Sequence, residues 1–254
     1  MDTDNKQQRS RRGIYLLPNM ITTAGLFSGF YAIVAAMNGR FEAAAIAIFI
    51  SMVMDGLDGR VARLTNTQSD FGVQYDSLSD MVCFGLAPAL IMYEWALRDM
   101  VSVGWAKLGW LGAFIYTASA ALRLARFNAQ VATAEKSYFR GLPSPSAAGV
   151  LAGLVWAATD LGLRGDDVVY LVFVLTVSMG LLMVSNIRYY SFKEFHFNNR
   201  VSFVAILVVV LVYVFASIDP PKVLFLSFLG YSIFGIIYTL VGIRNRRKSR
   251  KRGE

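Results

Sequence analysis
Between Met54 and Met81 the chain reads MDGLDGRVARLTNTQSDFGVQYDSLSDM, which sets Asp55, Asp58, Asp76 and Asp80 at or near the ends of two apolar runs. A charge at bilayer depth costs roughly 2.5 kcal/mol or more even on the lenient insertion scale, so carboxylates placed there face one another or a functional cavity. Spacings of three and four put Asp55 with Asp58, and Asp76 with Asp80, on single helix faces, with side chains about 5–6 Å apart. If the first of these helices runs inward and the second outward, Asp58 and Asp76 are the shallow tier and Asp55 and Asp80 the deep one. Four facing carboxylates repel unless protons or cations lie between them. All-oxygen ligation selects Mg2+, Mn2+ or Ca2+ over zinc, and two such ions about 3.5–4 Å apart form the clamp used in phosphoryl transfer.

The segment joining the two pairs suits a phosphate. Gly56, Gly59 and Gly72 let backbone approach a ligand closely, and Arg63 offers a forked donor. Read singly, these residues could equally ease helix packing or mark the basic side of a membrane.

Working outward, apolar stretches of membrane length fall at 20–37, 41–59, 74–96, 108–125, 146–163, 168–186, 201–217 and 222–243, which predicts an all-α, polytopic membrane protein with about eight transmembrane helices. Residues 1–19 form a basic lead, 20–243 one membrane domain and 244–254 a polybasic tail. With both termini cytoplasmic, 20 of the 25 basic residues lie on the inner side, and only Arg40, Arg98, Lys107, Arg164 and Lys222 remain outside. The first span, followed closely by others, reads as a retained helix and not a cleaved leader. No organelle-targeting segment stands out, so the expected location is a bacterial plasma (inner) membrane.

Composition narrows the chemistry. The chain has 254 residues, 56% hydrophobic and 17% charged, with a net charge of +8. A nucleic-acid module would not set its charges among such apolar runs, so no nucleic-acid partner is expected. Cys83 alone forms no internal disulfide or zinc site, and the single histidine, His196, excludes mechanisms that need two. His196 sits in a basic, aromatic loop that reads as an interfacial anchor. Pro143 and Pro145 suggest a re-entrant turn around Ser144 and Ser146. Gly25 and Gly29 form a GxxxG that could pack helices or a dimer.

The pattern Asp55-x2-Asp58-Gly59-x2-Ala62-Arg63-x8-Gly72-x3-Asp76-x3-Asp80 matches each fixed position of the CDP-alcohol phosphatidyltransferase signature, and the chain resembles that family. Within it, LPNMIT (Leu17 to Thr22), ALRLARFN (Ala121 to Asn128) and YFRGLPSPSAA (Tyr138 to Ala148) resemble the branch whose acceptor is serine. The resemblance implies transfer of a phosphatidyl group from CDP-diacylglycerol to L-serine at Mg2+ or Mn2+, with two ions expected. It places metal ligands on Asp55, Asp58, Asp76 and Asp80 and the general base on Asp80. Its CDP-diacylglycerol contacts fall on Gly59, Arg63 and Ser69, with Asn19 and Thr22 nearby and Gly72 in the same loop. Homodimers are common in the family. Arg123 and Arg126, three apart near Asn128, offer forks for the acceptor's carboxylate, for the pyrophosphate, or for topology alone.

Two rivals remain at this level. A sister transferase taking glycerol 3-phosphate or inositol phosphate would need extra positive charge at the acceptor pocket. A cation transporter would use the aspartates for a translocated ion, yet here the charges gather at one rim and no interrupted-helix pair marks an inverted repeat.

Overall fold
The computed structural model describes residues 2–101, 106–130, 138–190 and 217–250. Within them the chain is nearly all helical: α1 (Asp2–Met37), α2 (Phe41–Leu64), α3 (Asp70–Asp80), a π-helical segment (Met81–Leu86), α4 (Ala87–Trp95), α5 (Ala106–Gln130), α6 (Ser144–Asp160), α7 (Val169–Val184) and α8 (Pro220–Arg250). Seven of the eight expected spans coincide with these elements, and the eighth, 201–217, lies almost wholly outside the described residues. Among the described residues, four helical segments are long and apolar enough to cross a membrane: Leu16–Met37, Lys107–Ala129, Gly165–Val184 and Pro220–Thr239. The other three differ for visible reasons. α2 ends in Asp55, Asp58, Arg60 and Arg63, α6 has only 17 residues, and the π-helical segment divides the third span.

Beyond the expected helices, a short antiparallel pair joins β1 (Tyr138–Arg140) to β2 (Arg188–Tyr190), with Phe139 opposite Tyr189. Gly141, at φ +83°, turns the chain out of this pair, and its N–H meets Ile187 O at 2.8 Å. α6 begins at once. Residues 144–146 therefore open a helix instead of a re-entrant turn, because Pro143 and Pro145 occupy positions where a helix has no use for their missing N–H groups.

Helix ends are closed by hydrogen bonds written into the local sequence. After α2, Asn66 adopts φ 52°, and Thr67 N–H bonds Ala62 O at 3.0 Å, the reversed-turn cap that asparagine tolerates. Ser69 then opens α3 by accepting from Gly72 N–H at 3.0 Å. Residues 65–69 thus lead the chain from α2 into α3, which packs against α1.

The π turn has an equally local cause. Pro88 has no N–H for the carbonyl of Phe84, one helical step behind it, and its ring crowds that carbonyl. The Tyr116 hydroxyl of α5 donates to Phe84 O at 3.0 Å instead, and Thr117 Oγ1 lies 3.4 Å from Gly85 O.

Small residues make the core. Ala32, Ala35 and Ala36 of α1 pack with Ala44, Ala45, Ala47 and Ile48 of α2 and with Cys83, Phe84 and Ala87 of the third span. Ser28 Oγ donates to Ala47 O at 2.7 Å and Ser51 Oγ to Gly25 O at 3.0 Å, hydrogen bonds that hold adjacent helices in an apolar setting. Gly25 and Gly29 pack helices within the chain: a Cβ at Gly29 would stand 2.6 Å from Cys83 Sγ. A second small-residue ridge, Gly149 and Gly153 of α6, seats Phe228 and Phe225 of α8. Large apolar side chains such as Phe27, Phe30, Trp110, Phe114, Leu181 and Phe234 point outward, as a membrane-embedded bundle requires.

Candidate active site
Three helices converge on the carboxylates. α2 brings Asp55 and Asp58, and α3 brings Asp76 and Asp80 one helical turn apart. α1 supplies part of the floor through Thr22 and Gly25, which line the same cleft as all four aspartates together with Ser51 of α2, Ser79 of α3 and Cys83 and Phe84 of the π-helical segment. Carboxylate oxygens of Asp55, Asp76 and Asp80 lie within 4.8 Å of one another, and Asp80 shares a side-chain hydrogen bond with Asp55. Carboxylates this close require a proton or a cation among them. The donor set is all oxygen and anionic, which fits a hard divalent ion.

The tiers differ from the expected pairing. Asp76, read as a shallow partner of Asp58, groups with the deep pair. Asp58 stays in the cleft but is buried and accepts a hydrogen bond from Thr22 Oγ1 at 2.5 Å; that hydroxyl also lies 3.1 Å from Pro18 O. Thr22 therefore acts on a carboxylate, and the lead helix is bound to the acidic cluster through it.

The other expected contacts divide into three groups. Asn19, Ser69 and Gly72 come together at the start of α3, where a Cβ on Gly72 would stand 3.2 Å from Ser69 Oγ and 3.5 Å from Asn19 Oδ1. Beside them Tyr75 OH lies 2.9 Å from Thr23 Oγ1. Gly56 and Gly59 leave open space at the end of α2. Arg63 is exposed and bonds through Nε to Gly59 O at 2.9 Å.

On the opposite flank of α3 stands α5. Asn128 Nδ2 donates to Ser77 Oγ at 3.0 Å, which ties the end of α5 to the acidic helix. Arg123 interacts with the charge of Asp80, and its Nη1 donates to Ser144 Oγ at 2.8 Å. Arg126 points elsewhere. Its guanidinium meets the carbonyls of Val184 at 3.1 Å, Arg140 at 2.7 Å, Met183 at 3.3 Å and Ser185 at 3.5 Å, closing the C-terminal end of α7. The two arginines, equivalent by spacing, have different partners.

Sequence reasoning passed over Ser144, which it took for part of a turn, and Cys83, in which it found neither a disulfide nor a zinc site. Cys83 is buried, but its Sγ lies 3.4 Å from Gly25 O on the wall of the cleft. No periodic signal marks either contact, since each partner is distant in sequence. His196 and the tail beyond residue 250 lie outside the described residues.

Comparison with known proteins bears on the same residues. The family model described as CDP-alcohol phosphatidyltransferase matches residues 15–187, a span that contains all four aspartates, Arg123 and Ser144. The CDP-diacylglycerol–serine O-phosphatidyltransferase of Helicobacter pylori (strain J99) is 35% identical over 237 residues, covering 93% of this chain and 98% of its own. The protein of the same name from Methanocaldococcus jannaschii is 32% identical over 233 residues, covering 92% and 98%. With the acidic cleft and the match in agreement over most of its length, this chain belongs to the CDP-alcohol phosphatidyltransferase family.

Proposed function
We propose that the protein transfers the phosphatidyl group of CDP-diacylglycerol to the hydroxyl of L-serine, giving phosphatidylserine and CMP. The observation that carries this reading is the trio Asp55, Asp76 and Asp80 within 4.8 Å at one end of a membrane-embedded bundle. Both relatives described above bear the name of the serine enzyme, which supports the choice of acceptor.

Asp55, Asp58, Asp76 and Asp80 would hold divalent Mg2+ or Mn2+, two ions in our reading. When bound, the ions neutralise the pyrophosphate and stabilise the charge that develops on departing CMP. The cytidine diphosphate headgroup lies along Asn19, Thr22, Gly59, Arg63, Ser69 and Gly72, while its acyl chains stay in lipid. Asp80 takes the proton of the serine hydroxyl as that oxygen bonds to the phosphorus bearing diacylglycerol. The bond from that phosphorus to the CMP oxygen breaks, and no covalent enzyme intermediate forms. Arg123 and Asn128 flank the acceptor side, and Arg126 braces the helix that carries them.

The distribution of basic residues supports cytoplasmic termini and a cytoplasmic active site in the plasma membrane, with the polybasic tail able to meet anionic headgroups. A homodimer is part of the same reading, as is the division into a basic lead, a membrane domain and a tail.

The test is CMP release by detergent-purified protein given CDP-diacylglycerol, Mg2+ or Mn2+, and one acceptor at a time. Serine-dependent release that Asp80→Asn abolishes is expected. Release with glycerol 3-phosphate or inositol phosphate instead would overturn the acceptor. Metal-dependent flux in vesicles without nucleotide release would favour a transporter.

A further inference from the structure
Ser144 lies at the first position of α6, has no solvent exposure, and accepts a hydrogen bond from Arg123 Nη1 at 2.8 Å. A buried serine cannot itself touch a substrate from there. What it touches is the arginine that interacts with Asp80. The arrangement is electrostatically peculiar: a guanidinium meets the N-terminal end of a 17-residue helix, where the backbone dipole repels a cation. Among the described residues the Ser144 hydroxyl and the Asp80 carboxylate offset that repulsion.

Two positive features, the Arg123 fork and the α6 N-terminus, thus meet beside the acidic residue on the α5 flank of α3. The opposite flank, facing α1, holds Asn19, Thr22 and Thr23 against Gly72, Asp58 and Tyr75. The acidic helix is therefore flanked on one side by the first helix and on the other by α5, which carries Arg123. Arg126 does not add to that side, because its donors are engaged by four backbone carbonyls.

We infer that Ser144 is a positioning residue for acceptor selection: by fixing one Nη of Arg123, it aims the remaining donors of the guanidinium at the carboxylate of an amino-acid acceptor. This rests on the reading of the protein as a serine-using transferase. An arginine fork pairs with a carboxylate through two parallel hydrogen bonds only if its plane is held, and the bond to the buried Ser144 oxygen is one constraint on that plane. The consequence is chemical. Discrimination between serine and an amino alcohol without a carboxylate depends on a residue that neither one contacts.

The test uses the full-length protein in detergent with CDP-diacylglycerol, the metal, and either L-serine or ethanolamine as acceptor or competitor. Ser144→Ala is expected to raise the KM for L-serine about tenfold, the effect of one charge-assisted hydrogen bond. The KM for CDP-diacylglycerol stays within about twofold, and kcat at saturating serine falls less than KM rises. The preference for serine over ethanolamine drops by the same tenfold factor. Ser144→Thr keeps the oxygen while adding a methyl group to a packed position, so it keeps the serine KM near the wild-type value even where it lowers Tm. A merely structural serine would show the reverse order, with Thr the worse in every constant. Equal loss for serine and ethanolamine, or an unchanged serine KM in Ser144→Ala, overturns the inference alone. Wild-type protein that releases CMP only with a phosphorylated acceptor overturns both the inference and the function on which it rests.

Discussion
The Tyr116 hydroxyl donates to the carbonyl of Phe84 at 3.0 Å, and Phe84 O is the acceptor that Pro88 deprives of its helical donor. One residue thus completes a hydrogen bond that another, on a different helix, has made impossible. The turn they support begins at Met81, immediately after Asp80, so it sets the direction in which the acidic helix leaves the cleft.

Tyr116→Phe removes a donor to that carbonyl and is expected to cost about 0.5–1.5 kcal/mol, seen as a lower Tm in detergent. Adding Pro88→Ala supplies a backbone N–H, and the double variant recovers most of the loss. Activity does not follow: the double variant is stable but slow, because the turn after Asp80 has relaxed towards an ordinary helix. Thermal unfolding and CMP release on the same preparations separate the two effects.

Binding of a divalent ion to the native state alone raises stability by mass action, about 2.7 kcal/mol at a hundredfold excess over Kd. Wild-type protein should gain Tm on titration with Mn2+ or Mg2+ and lose it on chelation. Asp55→Asn and Asp76→Asn should abolish the gain, and without metal they should be no less stable than wild type, since each removes one of three crowded like charges.

Arg126→Met is expected to destabilise by about 1.5–3 kcal/mol, the range for hydrogen bonds made by a charged group. Its residual activity should show KM values near those of wild type once protein is assayed well below its reduced Tm. Arg123→Met should also lower Tm, since it leaves the buried Ser144 hydroxyl without its donor, but unlike Arg126→Met it should raise the acceptor KM. A pair of Tm values and a pair of KM values decide the matter.

Gly29→Ala puts a methyl group 2.6 Å from Cys83 Sγ and should cost about 1–3 kcal/mol. Cys83→Ala removes the sulfur but keeps the Cα and Cβ at 3.0 and 3.2 Å, so the double variant should recover part of the loss, with a coupling of about 0.5–3 kcal/mol. Urea or thermal unfolding of all four proteins measures it.

Legibility followed sequence distance. The carboxylate pairs could be read because helical spacing is a local property, and apolar runs located seven helices for the same reason. The cap that Ser69 makes to Gly72, by contrast, emerged only from the structure. Arg123 and Arg126 were indistinguishable, because what separates them are partners such as Ser144 and Met183, reached only after the bundle closes. The tier of Asp76 depended on how two helices rotate about their axes, which the short connection alone does not dictate. Pro88 did offer a signal for the π turn, but a proline in the first turn of a helix usually means nothing more than a start.

The acidic trio is confined to the stretch from Asp55 to Asp80, within two consecutive helices and the reversal at Asn66. It can therefore assemble once the third span has followed the second out of the ribosome, whereas Arg123 and Ser144 arrive only with the fourth and fifth. During that interval the nascent hairpin has its own Arg60 and Arg63 at the end of α2 but not yet the Arg123 that interacts with Asp80. A newly made chain thus has reason to capture its cations, or to hold its protons, before it has a place for an acceptor, and the order of synthesis becomes the order in which the site acquires its charges.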